Sequence, residues 1–170
     1  MGGKGMKPRV KSILYATDLS DTAREALTWA VSLAEKYDAT ITILHVMPDL
    51  IEEMSVLMGY DLESHFGAED LQAFGEEGRS AVVESIKNRI RSVCKDVQNE
   101  AGCSLDLENI VIRNGHPVRE IIDTIQEGDF DLVVMGTHGH GLLDKILVGS
   151  VARGVVEKSP IPVLTVRLPS

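Results

Sequence analysis

Short runs rich in β-branched residues alternate with stretches of helical periodicity along this chain, and that alternation leaves few folds open to it. Val10 to Ala16 and Thr40 to Val46 are β-rich, while Ser20 to Tyr37 between them places Ala23, Ala26, Leu27, Ala30, Val31, Leu33 and Ala34 at helical spacing. The three segments make a βαβ unit, with Ser20 or Asp21 suited to cap the helix and Asp38-Ala39 as the short return. A long amphipathic helix is predicted from about Leu71 to Glu100, with Val82, Val83, Ile86, Ile90 and Val93 on one face and an end near Gly102. Leu107 to Arg113 then predicts a strand, Val118 to Gln126 a helix, Asp131 to Gly136 a strand, Gly149 to Lys158 a helix and Val163 to Arg167 a last strand. Continuous apolar strands in alternation with helices place the chain in the α/β class, as an open parallel sheet covered on both faces. At 170 residues, one domain over 8–168 behind a flexible tail at 1–7 is expected, burying roughly 70% of the unfolded chain's surface.

Within this frame the segment from Gly136-Thr137-His138-Gly139 to Gly149-Ser150 carries the chemistry, because it is a glycine-rich loop joining a strand to a helix. Glycines remove side chains where a ligand must approach the backbone, and the first N–H groups of the helix carry partial positive charge toward an anion. Ser150 is expected to add a hydroxyl donor and to cap the helix. The loop lacks Walker chemistry, since the nearby Lys145 is followed by Ile146. It also departs from the dinucleotide fingerprint: Gly139-His140-Gly141 is followed by Asp144 at the third glycine position. Ligands of open parallel sheets bind outside the carboxyl ends of the strands, where strand order reverses. Thr17-Asp18, Val46, Gly115 and Gly136 all fall at such ends.

The net charge of −9 argues against sequence-independent nucleic-acid binding. Nine carboxylates and no Lys or Arg lie between Asp49 and Glu77, and the remaining 17 acids match the 17 bases, so the whole excess sits in one segment. There Leu50, Ile51, Met54, Leu57 and Met58 fall at helical spacing opposite Glu52 and Glu53. This acidic insertion at about 49–77 reads either as an amphipathic lid with a solvated outer face or as a Met-rich surface that docks a protein partner or a second subunit. Cys94 and Cys103 have neither redox-motif nor zinc-ligand spacing, so reduced thiols are expected. The start, Met1 to Met6, has no hydrophobic signal core, and no apolar run is long enough to span a bilayer, so no membrane association and a cytoplasmic location are expected.

Several of these segments together resemble the ATP-binding branch of the universal stress protein family. The resemblance is carried by Ile13-Leu14-Tyr15-Ala16-Thr17-Asp18-Leu19-Ser20, Leu44-His45-Val46, Asn114-Gly115-His116-Pro117, the spacing Gly136-x-x-Gly139-x9-Gly149-Ser150-Val151, and the closing Pro160-Ile161-Pro162-Val163-Leu164-Thr165-Val166. It covers Lys11 to Arg167 apart from the acidic segment. It implies a Rossmann-like fold of the adenine nucleotide alpha hydrolase-like type, with five parallel strands in the order 3-2-1-4-5. It further implies that Ala16, Thr17, Asp18 and the backbone of Val46 line the adenine and ribose region, with Gly115 and Met135 nearby. Gly136, Thr137, His138, Gly139, His140 and Gly141 would wrap the ribose and phosphates, and Gly149, Ser150 and Val151 would hold the phosphates. One departure stands at Ala16, where many relatives carry proline. The resemblance also implies a homodimer paired through the last strand.

Asp18 has two readings, a cap for the following helix or a ligand to ribose hydroxyls, adenine or a metal; its place at the switch point favours the ligand. His138 and His140 make a weak metal pair, since no Cys or third His lies at a companion spacing. A Mg²⁺ or Mn²⁺ ion held mainly by the phosphates of ATP fits better, with Asp18 and Asp144 as its protein partners. Phosphoryl transfer needs an oriented nucleophile and charge neutralisation, and the sequence offers no identifiable base, Walker aspartate or arginine finger. The expected function is therefore an ATP-binding sensor or adaptor with slow hydrolysis at most. The rivals are an ATP hydrolase or nucleotide-transferring enzyme, and an AMP-selective binding module.

Overall fold

The computed structural model describes residues 9–47, 68–102, 109–137 and 148–167. The strands are β1 (Ser12–Thr17), β2 (Thr40–Met47), β3 (Ile110–Asn114), β4 (Leu132–Gly136) and β5 (Val163–Val166); the helices are α1 (Asp21–Tyr37), α2 (Ala68–Ala101), α3 (Pro117–Glu127) and α4 (Ser150–Lys158). All pairings are parallel, and the sheet order is β3-β2-β1-β4-β5.

Period-two alternation along the strands feeds two separate cores. Ile13 and Tyr15 of β1, Ile41 and Ile43 of β2, Val134 of β4 and Val166 of β5 point to one face, where Ala26, Leu27, Ala30, Val31 and Ala34 of α1 and Ile90, Cys94 and Val97 of α2 cover them. Leu14, Ala16, Leu44, Val133 and Met135 point to the other, beneath Val118, Ile121, Ile122 and Ile125 of α3 and Ala152 and Val155 of α4. The α1 stripe matches the apolar spacing in the sequence. On α2 the reading was less exact: Val82, predicted on the apolar face, is exposed, whereas Cys94 and Val97 are buried. A helix of 34 residues spans ~50 Å and β2, at 8 residues, only ~26 Å, so the sheet cannot cover the whole helix.

Long-range hydrogen bonds shift some boundaries. β1 begins two residues later than the apolar run, because the N–H groups of Lys11 and Ser12 both donate to Oδ2 of Asp131, at 2.7 and 3.0 Å. Asp131 thus pins the start of β1 beside that of β4, at the end of the sheet away from the carboxyl ends. Asp131→Ala should lower stability by about 1–2 kcal/mol, the cost of leaving these donors to water alone, with the fall measured by urea denaturation. α1 ends at Asp38, which adopts φ 52° and ψ 56° and donates its N–H to the Ala34 carbonyl. The Lys11 ammonium donates there to the Tyr37 and Asp38 carbonyls, a favourable place for a cation.

The N-terminal tail, residues 49–67 of the acidic insertion, Cys103, Leu107 and Glu108 lie outside the described residues, while residues 68–77 of that insertion form the start of α2.

Candidate functional site

The sheet order dictates where a crevice opens. From β1 the chain moves outward through β2 to β3, then crosses back to β4 and on to β5, so connections leave the carboxyl ends of β1 and β4 in opposite directions. The turn after β1 leads to α1 on one face, and the segment after β4 leads to α4 on the other. Between them lies a cleft of about 320 Å³. Its volume falls at the lower end of the ~300–1,000 Å³ of small-molecule sites.

One wall is the turn Thr17 to Ser20. Thr17 Oγ1 accepts from the Leu19 N–H at 3.0 Å, while Asp18 Oδ1 accepts from the Ser20 N–H at 3.1 Å and from the Ser20 hydroxyl at 2.6 Å. Ser20 is the cap of α1, its side chain accepting from the Ala23 N–H, so Asp18 stands two residues ahead of the cap and is exposed at the cleft. Behind this turn the buried Tyr15 hydroxyl donates to the Ala23 carbonyl. Burial pushes its phenol well above the usual tyrosine range, against a smaller opposing effect of hydrogen bonding with Thr17, so it remains a neutral donor.

The opposite wall is the first turn of α4. Here the structure corrects the reading of Ser150 as the cap: Gly149 occupies that position, with no side-chain capping bond, and Ser150 is the first helical residue. The Gly149 N–H donates to the Thr137 carbonyl at 2.7 Å, and the Thr137 N–H to the Val166 carbonyl at 2.8 Å. The start of α4 is thus tied to the carboxyl ends of β4 and β5. The donors that helix geometry leaves without an intrahelical acceptor are those of Ser150, Val151 and Ala152, one position later than expected.

The floor is apolar. Ala16, Leu44, Val46 and Met135 rise from the sheet, and Pro117 and Ile121 come from the first turns of α3. Ala16, Thr17, Asp18, Val46, Met135, Gly136, Thr137, Gly149, Ser150 and Val151 were all singled out in the sequence, and they line this one cleft. Gly115 is not among its lining residues; it closes β3 at φ 131°, its N–H donating to the Met47 carbonyl, and a Cβ there would stand 3.0 Å from the Glu120 carboxylate. His138, Gly139, His140, Gly141, Asp144 and Lys145 lie outside the described residues. Ala23, Leu44, Pro117, Ile121 and Ala152 also line the cleft and were not among the predicted site residues. Leu44 lies two before Val46 on the same strand face, and Pro117 lies four before Ile121 on α3. The first spacing would have found Leu44 from Val46, whereas Pro117 and Ile121 mark the cleft only once α3 is placed over the sheet.

The described lining suits an adenine nucleotide: an apolar floor for a flat ring, a carboxylate at Asp18 for hydroxyl or amine donors, and backbone N–H groups at α4 for phosphate. Among the described residues no three His, Cys, Asp or Glu side chains cluster to hold a metal ion. A divalent ion would rest on phosphate oxygens and water, with Asp18 as the carboxylate in reach of the cleft. No helix among the described residues is long and apolar enough to cross a membrane.

Known proteins share the fold. The chain is 33% identical over 156 residues to universal stress protein YxiE of Bacillus subtilis, covering 91% of this chain and 97% of that one. It is 28% identical over 162 residues to universal stress protein MJ0577 of Methanocaldococcus jannaschii, covering 95% and 98%. The solved structure of MJ0577 superposes with a TM-score of 0.71 over 95% of this chain and 98% of that one. A universal stress protein solved in complex with cAMP shares the fold at a TM-score of 0.59 and 19% identity, covering 94% and 98%. Residues 9–167 match the sequence profile described as the universal stress protein family; with the five-stranded order and the switch-point cleft, the chain belongs to that family.

Proposed function

We propose that the protein binds ATP in the cleft between β1 and β4 and acts as a nucleotide-dependent sensor or adaptor. The observation that carries this reading is the joining of the Asp18 turn, the apolar floor and the first turn of α4 in one cleft at the switch point. Adenine rests against Ala16, Leu44, Val46 and Met135, Asp18 accepts from the ribose hydroxyls or the adenine amine, and the phosphates meet the N–H groups of Ser150, Val151 and Ala152. His138, Gly139, His140 and Gly141 complete the wrap of ribose and phosphates, and Mg²⁺ or Mn²⁺ is held mainly by the phosphates.

The described polar side chains of the cleft are the Asp18 carboxylate and the hydroxyls of Thr17, Thr137 and Ser150. This set orients a nucleotide better than it neutralises the charge that develops in phosphoryl transfer, which supports holding with slow hydrolysis over brisk turnover. A second reading, selectivity for an adenylate with a single phosphate, is favoured by the cAMP complex of a protein of the same fold. The proposal extends to one cytoplasmic domain over 8–168, a homodimer paired through the edge strand β5, and a protein partner for the acidic segment at 49–77.

Calorimetry with ATP, ADP, AMP and cAMP, each with Mg²⁺, tests the reading together with a steady-state turnover assay. ATP should bind most tightly with turnover near background, and Asp18→Ala should weaken it about tenfold, as expected for losing hydrogen bonds to a charged acceptor. Tight AMP or cAMP selectivity would move the assignment to the second reading, and brisk turnover would make the protein an enzyme.

A further inference from the structure

The turn that presents Asp18 is held in a costly conformation. Leu19 sits at φ 64°, a region that costs a residue with a Cβ about 1–2 kcal/mol and persists only where its surroundings over-determine it. Inside the turn the Leu19 N–H donates to Thr17, the last residue of β1, and the Ser20 donors bond to Asp18, so the turn hangs from the sheet through Thr17. The β1–β4 register ends at Ala16 opposite Met135, so Thr17 is held to the sheet on its β2 side alone, where its carbonyl points as that of Lys11 does.

On the other side, Thr17 faces His45 at the end of the β1–β2 register. The His45 Nδ1 lies 2.8 Å from the Thr17 carbonyl oxygen. A carbonyl can only accept, so Nδ1 carries the proton and donates it. Two further anchors hold the turn: Leu19 packs against the core shared by α1 and α2, and Arg89 Nη2 donates to the Leu19 carbonyl at 3.4 Å in an exposed position. That last bond is longer than the usual 2.7–3.2 Å range and is open to water. The part-buried imidazole contact is the shorter, better-shielded one. His45 shares the face of Ile41 and Ile43, away from the cleft, so it reaches the ligand only through the turn.

We propose that His45 is a positioning residue: its Nδ1–H clamps the Thr17 carbonyl at the end of the β1–β2 register, steadies the turn that follows as far as Ser20, and so preorganises Asp18 for the ligand. The proposal rests on the nucleotide reading for its functional consequence, while its structural half is measurable without ligand. His45→Leu removes the donor and keeps an apolar body. His45→Asn places an amide N–H where Nδ1 stood, whereas His45→Gln places its amide farther out.

Amide hydrogen exchange of Leu19 and Ser20 in ligand-free protein, and ATP affinity by calorimetry, should move together. In H45L and H45Q, exchange at both amides should quicken and affinity fall about fivefold, the usual range for one neutral hydrogen bond; H45N should restore both, with Tm little changed across the series. Exchange in H45L at the rate of the unsubstituted protein, or H45N as impaired as H45L, would overturn the proposal. Failure of the unsubstituted protein to bind ATP would defeat the nucleotide reading instead, and the exchange rates would still decide whether His45 holds the turn.

Discussion

Gly149→Val should abolish nucleotide binding and leave the fold standing. Gly149 has φ −67° and ψ 162°, extended backbone that any residue adopts, so no conformational demand explains a glycine there. Its position does: it is buried, it lines the cleft, and it immediately precedes the N–H groups of Ser150, Val151 and Ala152. Its own N–H and carbonyl are already engaged, with the Thr137 carbonyl at 2.7 Å and the Arg153 N–H at 3.0 Å. A branched side chain in this position obstructs the approach of an anion to the helix start. Losing two charge-assisted hydrogen bonds at about 1.5–3 kcal/mol each corresponds to a fall in affinity of about 100-fold or more. The fold should survive a moderate loss, since exchanging glycine for valine at a helix cap costs on the order of 1 kcal/mol and overpacking at this buried position adds up to about 1–3 kcal/mol. Gly149→Ala should fall between, and Gly149→Ser separates the two effects, because serine caps well yet still intrudes. Wild-type ATP affinity in folded G149V, measured by calorimetry, would refute the cradle.

The sequence made the class and the element order legible because both follow from local periodicity. Alternating β-rich and helical segments predicted each strand and helix among the described residues, and Thr17-Asp18 and Gly136 marked the two strand ends that the sheet brings together. What it concealed was tertiary. The late start of β1 depends on Asp131, some 120 residues away, and no local pattern announces such a contact. The cap of α4 was misplaced by one residue because serine is a better cap than glycine in general, whereas here Gly149 is held in the cap position by its bond to Thr137. The pocket floor was only half seen: Ala16, Val46 and Met135 were named, whereas Leu44, Pro117 and Ile121 look like ordinary core positions until α3 is placed over the sheet.

That placement is itself testable through Gly154, where the two helices flanking the cleft meet. A Cβ on Gly154 would stand 2.9 Å from Cγ2 and 3.2 Å from Cγ1 of Val118. Val118 is buried and β-branched, with one strongly preferred helical rotamer, so it cannot swing aside as a long flexible side chain would. Gly154→Ala gains about 1 kcal/mol in helix propensity against an overpacking cost of about 1–3 kcal/mol, and should end near neutral or slightly destabilised. Gly154→Val adds two methyl groups at the same contact, so overpacking wins and stability should fall by about 2–3 kcal/mol in urea denaturation. Pairing it with Val118→Ala opens the space, and the double-mutant cycle should recover about 1–2 kcal/mol of coupling. Because α3 supplies Pro117 and Ile121 and α4 supplies Gly149 to Ala152, prising the helices apart widens the cleft at its base. ATP affinity should therefore fall in G154V and return in the double variant, in step with stability. If G154V loses stability but binds ATP as the unsubstituted protein does, the α3–α4 contact supports the fold without setting the width of the cleft.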